Sequence, residues 1–133
     1  MTQEYKELLF KDLSARLPHH VRVKVWLKDG TTEEGILDLE HNYGDVLRDV
    51  FYYNKIVDIK PYLRPLSSMT KEEKKEVHRL FTVLYDRNDI ICGIQINSFD
   101  QLYKAIECLN KHHFDWRGLI EKGLALEAPE GMY

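Results

Sequence analysis

The run VRVKVWLKDG, residues 21 to 30, alternates without a break: Val21, Val23, Val25 and Leu27 fall on one side of an extended chain, Arg22, Lys24, Trp26 and Lys28 on the other. It reads as a half-buried strand. Asp29-Gly30 follows, ahead of a second extended run, and an Asp-Gly pair between two such runs predicts a two-residue hairpin turn, the hairpin spanning about 21 to 39. In the register that turn sets, Val23 faces Ile36 toward the core. On the outer side Trp26 lies across from Glu33 and Lys24 across from Gly35, which leaves room for the indole.

Upstream of this hairpin, Tyr5, Leu8, Leu9, Leu13 and Leu17 recur at helical spacing, and Pro18 ends the helix they define. Downstream, HNYGD at 41 to 45 reads as a turn, and VLRDVFYY (46 to 53) and IVDIKPYL (56 to 63) as extended segments joined near Asn54-Lys55, a second hairpin. In the later segment Val57, Ile59 and Leu63 share one face and Asp58, Lys60, Tyr62 and Arg64 the other, while Pro61 assigns the strand to an edge. Thr70 and Glu73 form a capping box for a helix over about 71 to 85, with Val77, Leu80, Phe81 and Leu84 on its apolar face. DRND then turns the chain, IICGIQI reads as a short strand, and Ser98 with Gln101 opens a third helix through Leu102, Ile106 and Leu109. Asp115 caps a last short helix ending at Gly123, and LALEA is extended after it. The expected architecture is α+β: a single small domain over 1 to 133, with a mainly antiparallel sheet built from hairpins, packed against three helices plus a short C-terminal helix.

A chain of 133 residues is long enough to bury roughly two thirds of its unfolded surface. Its 44% hydrophobic and 11% aromatic content supplies the apolar surface that a packed core needs and a disordered chain lacks. With 19 basic against 22 acidic residues, the net charge of −3 gives no global attraction for duplex nucleic acid, so any such contact has to be local. Cys92 and Cys108 form neither a CxxC pair nor a zinc-ligand series, and MTQEYKELLFKDL carries charges where a signal peptide has its apolar core. No apolar run approaches the roughly 18 residues that span a bilayer. The expectation is a cytoplasmic protein with reduced thiols and no membrane-embedded segment.

Two stretches hold chemistry-bearing side chains. HHFDWRGLI at 112 to 120 gathers His112, His113, Asp115 and Arg117, with Cys108 one helical turn before His112 and on the same helix face. Zinc wants three or four ligands, and His19, His20, His41 and His78 show no spacing that completes the set, so neither a metal nor a cofactor is expected. The histidine pair then ends the third helix and complements its dipole, with Phe114 and Trp116 in the core and Arg117 paired with a carboxylate. The rival reading uses His112, His113 and Asp115 for acid-base work in a small hydrolase or nuclease, but no GxSxG, Cys-His signature or glycine-rich phosphate loop accompanies them.

The second stretch is the outer face of the first strand. Arg22, Lys24 and Trp26, widened by Lys60, Tyr62 and Arg64 where that strand joins the sheet, offer cations around an indole, which suits a phosphate-bearing base through charge and stacking. Arg117 is an outlying member of this ligand-binding set. Against it stand Glu33 and Glu34 in the partner strand, and the ordinariness of basic residues on a solvated face. Trp26, Tyr43, Tyr52, Tyr53 and Tyr62 are many aromatics for a small monomer, which favours self-association or partner docking unless half of them are core.

HHFDWRGLIEKGLALEAPEGMY at 112 to 133, together with DLSARLP at 12 to 18 and DIKPYLRPLSSMT at 58 to 70, resembles a group of small proteins encoded by gut-bacterial phages and mobile elements. The resemblance implies an accessory protein acting in the bacterial cytoplasm against host regulation or defence, and supplies no catalytic residues. The leading expectation is a non-enzymatic binding protein that docks on a host component or sequesters a small phosphate-bearing signal such as a nucleotide. Single-stranded nucleic-acid binding through the same patch is the alternative of another class.

Overall fold

The structure is a computed structural model and describes residues 2–37, 56–80, 82–88, 91–95 and 98–133. The HNYGD turn, the 46 to 53 segment and Tyr43, Tyr52 and Tyr53 lie outside the described residues. Helix α1 (Gln3–Arg16) starts where the Thr2 hydroxyl accepts from the Tyr5 N–H at 3.2 Å, and gives way to a 3-10 turn at Leu17–His19 as Pro18 intervenes. His20, at φ 55°, swings the chain into β1 (Val21–Leu27). With β2 (Thr32–Leu37), β3 (Ile56–Leu63) and β6 (Leu126–Glu127), β1 builds a four-stranded sheet ordered β2-β1-β3-β6. The sheet is mixed: β1 pairs antiparallel with both neighbours, while β3 and β6 run parallel.

Between β1 and β2 the turn holds three residues, Lys28 to Gly30, rather than two. Gly30 takes the left-handed conformation at φ 86°, and the Asp29 carboxylate accepts from both the N–H and the hydroxyl of Thr31, which draws Thr31 into the turn. The pairing therefore slips by one residue from the expected one: Val23 opposes Gly35, Lys24 opposes Glu34 and Trp26 opposes Thr32. Leu37, not Ile36, enters the core, because a one-residue slip turns every side chain of β2 over.

A bulge between Trp26 and Leu27 has the same effect on β3. Ile56 turns inward and Val57 outward, 65% exposed, where the alternation had placed Val57 beside Ile59. Nor is β3 an edge strand. It lies between β1 and β6, and β6 pairs only with Tyr62 and Leu63, just past Pro61, so the missing proline N–H interrupts no ladder bond there.

Helix α2 (Lys71–Leu80) opens on the expected capping box: the Thr70 N–H donates to Glu73 at 2.9 Å and the Glu73 N–H to the Thr70 hydroxyl at 3.2 Å. It stops at Leu80, and Thr82–Tyr85 is strand β4, paired antiparallel with β5 (Ile91–Gln95) in a separate two-stranded sheet. Helix α3 (Phe99–Lys111) is capped by Ser98. The short helix expected after it is instead a series of turns. Gly118 and Gly123 sit at φ 72° and 71°, which no helix continues through, although Asp115 does cap the first turn by accepting from the N–H groups of Leu119 and Ile120.

Two cores result. The first packs Leu9 and Leu13 of α1 on Val21, Val23, Val25, Leu37, Ile59 and Leu63, closed by Leu119 and Leu124. The second holds Met69, Val77, Ala105, Cys108, Leu109 and Phe114 between α2 and α3. Arg64 and Phe114 join them: the Arg64 N–H donates to the His113 carbonyl, and the Asp115 N–H to the Arg64 carbonyl, both at 2.8 Å. Among the described residues, no helix is long and apolar enough to cross a membrane.

Candidate functional site

On the outer face of the sheet, five residues of the expected patch meet. Arg22, Lys24 and Trp26 of β1 stand beside Lys60 and Tyr62 of β3, with Lys24 and Lys60 directly opposite each other. Both ammonium groups lie over the Trp26 ring, at 5.5 and 5.7 Å from its centroid. Like charges in directly opposed positions destabilise a sheet; the indole face, and Glu34 across from Lys24 on its other side, work against this. Glu34 borders the patch and accepts from the Tyr62 hydroxyl at 2.6 Å. That bond, reinforced by burial and the carboxylate charge, pushes the Tyr62 phenol up to about 12.

Arg64 and Arg117 do not join this face. Arg64 leaves the end of β3, forms a two-pronged pair with Glu73 (2.6 and 2.7 Å) and lies 4.4 Å over the Phe114 ring. Arg117 binds Asp12 at 3.1 Å and stacks on Trp116 at 4.2 Å. Strand alternation extrapolated past Leu63 had placed Arg64 beside Tyr62, but the chain leaves the β1 ladder there and turns toward Phe114.

Tyr133 finishes the patch from its side. Its hydroxyl accepts from the Arg22 N–H at 2.9 Å and donates to the Tyr62 carbonyl at 2.8 Å, bridging two backbone groups where β1 and β3 part. Its ring stacks on His113, centroids 3.7 Å apart and planes 16° from parallel. No protein-family model, curated protein or solved structure matches this chain.

Within residues 112 to 117 the side chains divide their tasks. Asp115 gives both carboxylate oxygens to backbone N–H groups, at 2.8 and 2.9 Å, and Trp116 donates to the buried Asn110 at 2.9 Å. His113, at φ 63°, lies against Tyr133 with Nδ1 buried. Burial first, then the charge of Arg16, holds its imidazole down at about 4 against an ordinary 6.5. His112 faces α2 instead: its Nε2 is 2.9 Å from Glu76 and its Nδ1 3.3 Å from Glu73. His112, His113, Arg64, Glu73, Pro129 and Tyr133 are among the residues that line an open cleft of about 810 Å³. Nothing in the residue pattern singled out Glu73 and Glu76 beyond the capping role of Glu73, since acidic residues early in a helix are ordinary.

These groups set a pH dependence. The unfolded chain protonates His113 near 6.5 while the folded chain resists to about 4, so this site lowers stability as pH falls through that window. Glu73, held down at about 2 chiefly by Arg64, contributes stability present above 4.5 and lost as pH falls toward 2. We expect urea midpoints in chelated buffer to decline from pH 6.5 to 4, and His113→Asn, which tolerates a positive φ, to flatten that slope while leaving the decline below pH 4.5. An unchanged slope in the variant would show that His113 is solvated.

Proposed function

We propose that this protein is a non-enzymatic binding module whose ligand is a small phosphate-bearing aromatic, a nucleotide-type signal, held on the outer sheet face by Arg22, Lys24, Trp26, Lys60 and Tyr62. The observation that carries this reading is the opposed Lys24 and Lys60 pair over a single indole. A phosphate between the two ammoniums relieves their repulsion, and a base has the indole to stack on. The resemblance to phage and mobile-element proteins supports an accessory role in the bacterial cytoplasm, where sequestering such a signal counters host defence.

Native mass spectrometry of the protein purified from bacterial cells tests the ligand class, followed by denaturing extraction of whatever it carries. A bound nucleotide supports the reading, whereas a ligand-free species moves weight to docking on a host protein, and the mass reports any homo-oligomer. With the ligand in hand, Lys24→Ala with Trp26→Ala should weaken binding by about 10- to 100-fold while circular dichroism stays native, because a phosphate contact and the stacking surface for the base are removed from half-buried outer positions. Unchanged affinity in that double variant rejects the patch. Stacking on Trp26 also suits a single-stranded oligonucleotide, which a steep loss of affinity with rising salt would identify and a flat response would exclude.

A further inference from the structure

We propose that Glu76, Cys108 and His112 form a binding site for a borderline divalent ion, zinc above all, with Glu73 orienting the imidazole from behind. The site is independent of the sheet face. Cys108 and His112 stand one turn apart on α3, so their side chains leave the same face, and α2 brings Glu76 against that face. One ligand atom from each of the three lies within 4.8 Å of the other two. Tetrahedral zinc, with bonds of roughly 2.0–2.3 Å, holds its ligand atoms roughly 3.3–3.7 Å apart; the Nε2–Glu76 pair, at 2.9 Å, opens by a few tenths of an ångström to reach that spacing, and no pair has to close by more than about 1.5 Å. Glu76 and His112, both partly exposed, have the freedom to make that adjustment, while Cys108 is 6% exposed and fixed in the second core.

The supporting groups are also in place. A metal-bound imidazole works best when its other ring nitrogen donates to a carboxylate, which fixes the tautomer and raises ligand basicity. With Nε2 directed at Glu76 and the ion, Nδ1 faces Glu73 Oε2 in a 3.3 Å ion-pair contact, one small ring rotation from donating to it. Glu73 is itself immobilised by the two-pronged Arg64 pair and by the Thr70 N–H. Sulfur, nitrogen and a single carboxylate select zinc or cobalt over magnesium or calcium, which demand oxygen cages. Three protein ligands leave a fourth position for water or an exogenous group.

Ion binding displaces the Cys108 proton to solvent and forms a metal–thiolate bond, with no change of oxidation state. Without the ion, burial and then the neighbouring Glu76 charge push this thiol up to about 11, so the thiol alone is inert. A divalent charge between the thiolate and Glu76 removes that penalty.

Titration of the chelator-stripped full chain with cobalt(II) is the test. We expect a one-to-one complex with a thiolate-to-cobalt charge-transfer band in the near ultraviolet and intense visible bands of tetrahedral cobalt, all displaced by zinc. Cys108→Ser should abolish the charge-transfer band and Cys92→Ser should keep it. Glu73→Gln should retain the band but weaken binding by about 10- to 100-fold. Glu76→Gln, at a partly exposed position, supplies an independent deletion should serine disturb the core, and should weaken cobalt binding at least tenfold. Absence of the charge-transfer band in the native chain, its survival in Cys108→Ser, or undiminished affinity in Glu76→Gln overturns the proposal.

Discussion

Asp12→Ala should lower the free energy of unfolding by about 3–5 kcal/mol, read from urea denaturation at neutral pH. Asp12 and Arg16 are both fully buried, and the Asp12 carboxylate lies between Arg16 Nε at 2.8 Å and Arg117 Nη1 at 3.1 Å. Deleting it leaves a guanidinium in the interior with, among the described residues, only the Phe114 carbonyl, at 2.7 Å, to receive it. Such a charge cannot escape by losing its proton, since arginine stays protonated throughout the accessible pH range. The desolvation it suffers is therefore uncompensated. Replacing both partners, Asp12→Leu with Arg16→Met, should recover most of the loss, because the penalty belongs to the orphaned ion and not to the absence of the pair. A loss below about 1 kcal/mol in the single variant would mean that water reaches Arg16 in solution.

Phe114→Ala should be comparably damaging, at about 3–5 kcal/mol, whereas Phe114→Leu should stay within about 1.5 kcal/mol. The ring is completely buried in the second core, with the Arg64 guanidinium over one face and the His112 ring 6.2 Å away. Its backbone neighbours are tied to Arg64 on both sides, so the walls of the vacated space are held by hydrogen bonds and cannot collapse into it. Denaturant midpoints with an unchanged slope would show a pure stability loss. A change in slope would show instead that the two cores have begun to unfold separately.

The chain announced its elements more clearly than their registers. Strict alternation through Val21, Val23 and Val25 and the two capping boxes are local signals, and local geometry decides them. The slip at Asp29-Gly30 came from a side chain: the Asp29 carboxylate recruits Thr31 and lengthens the turn by one residue, an effect a dipeptide rule does not contain. FTVLY after α2 is short and apolar, where helical and extended periodicities agree equally well, and only pairing with 91 to 95 decides between them. The sheet-face candidates were legible because alternation carries over from β1 to its antiparallel neighbour. Glu73 and Glu76 were not, since their relation to His112 exists only once two helices pack. Arg64 was misplaced for the same reason, as its partner is set by a turn and not by a period.

The bond from Arg16 to the Phe114 carbonyl spans 98 residues, and that from Arg22 to Tyr133 spans 111. At roughly 5–20 residues per second, the first helix emerges from the ribosome about 5–20 s, and the hairpin about 4–15 s, before Phe114. Throughout that interval the valine face of β1 has α1 over it but neither Leu119 nor Leu124 to close the core, and its β3-facing edge waits until residues 56 to 63 are made, while contacts of such long range form slowly even when every residue is present. Chaperone dependence and aggregation pressure on this chain therefore fall in the seconds before residue 114 is made.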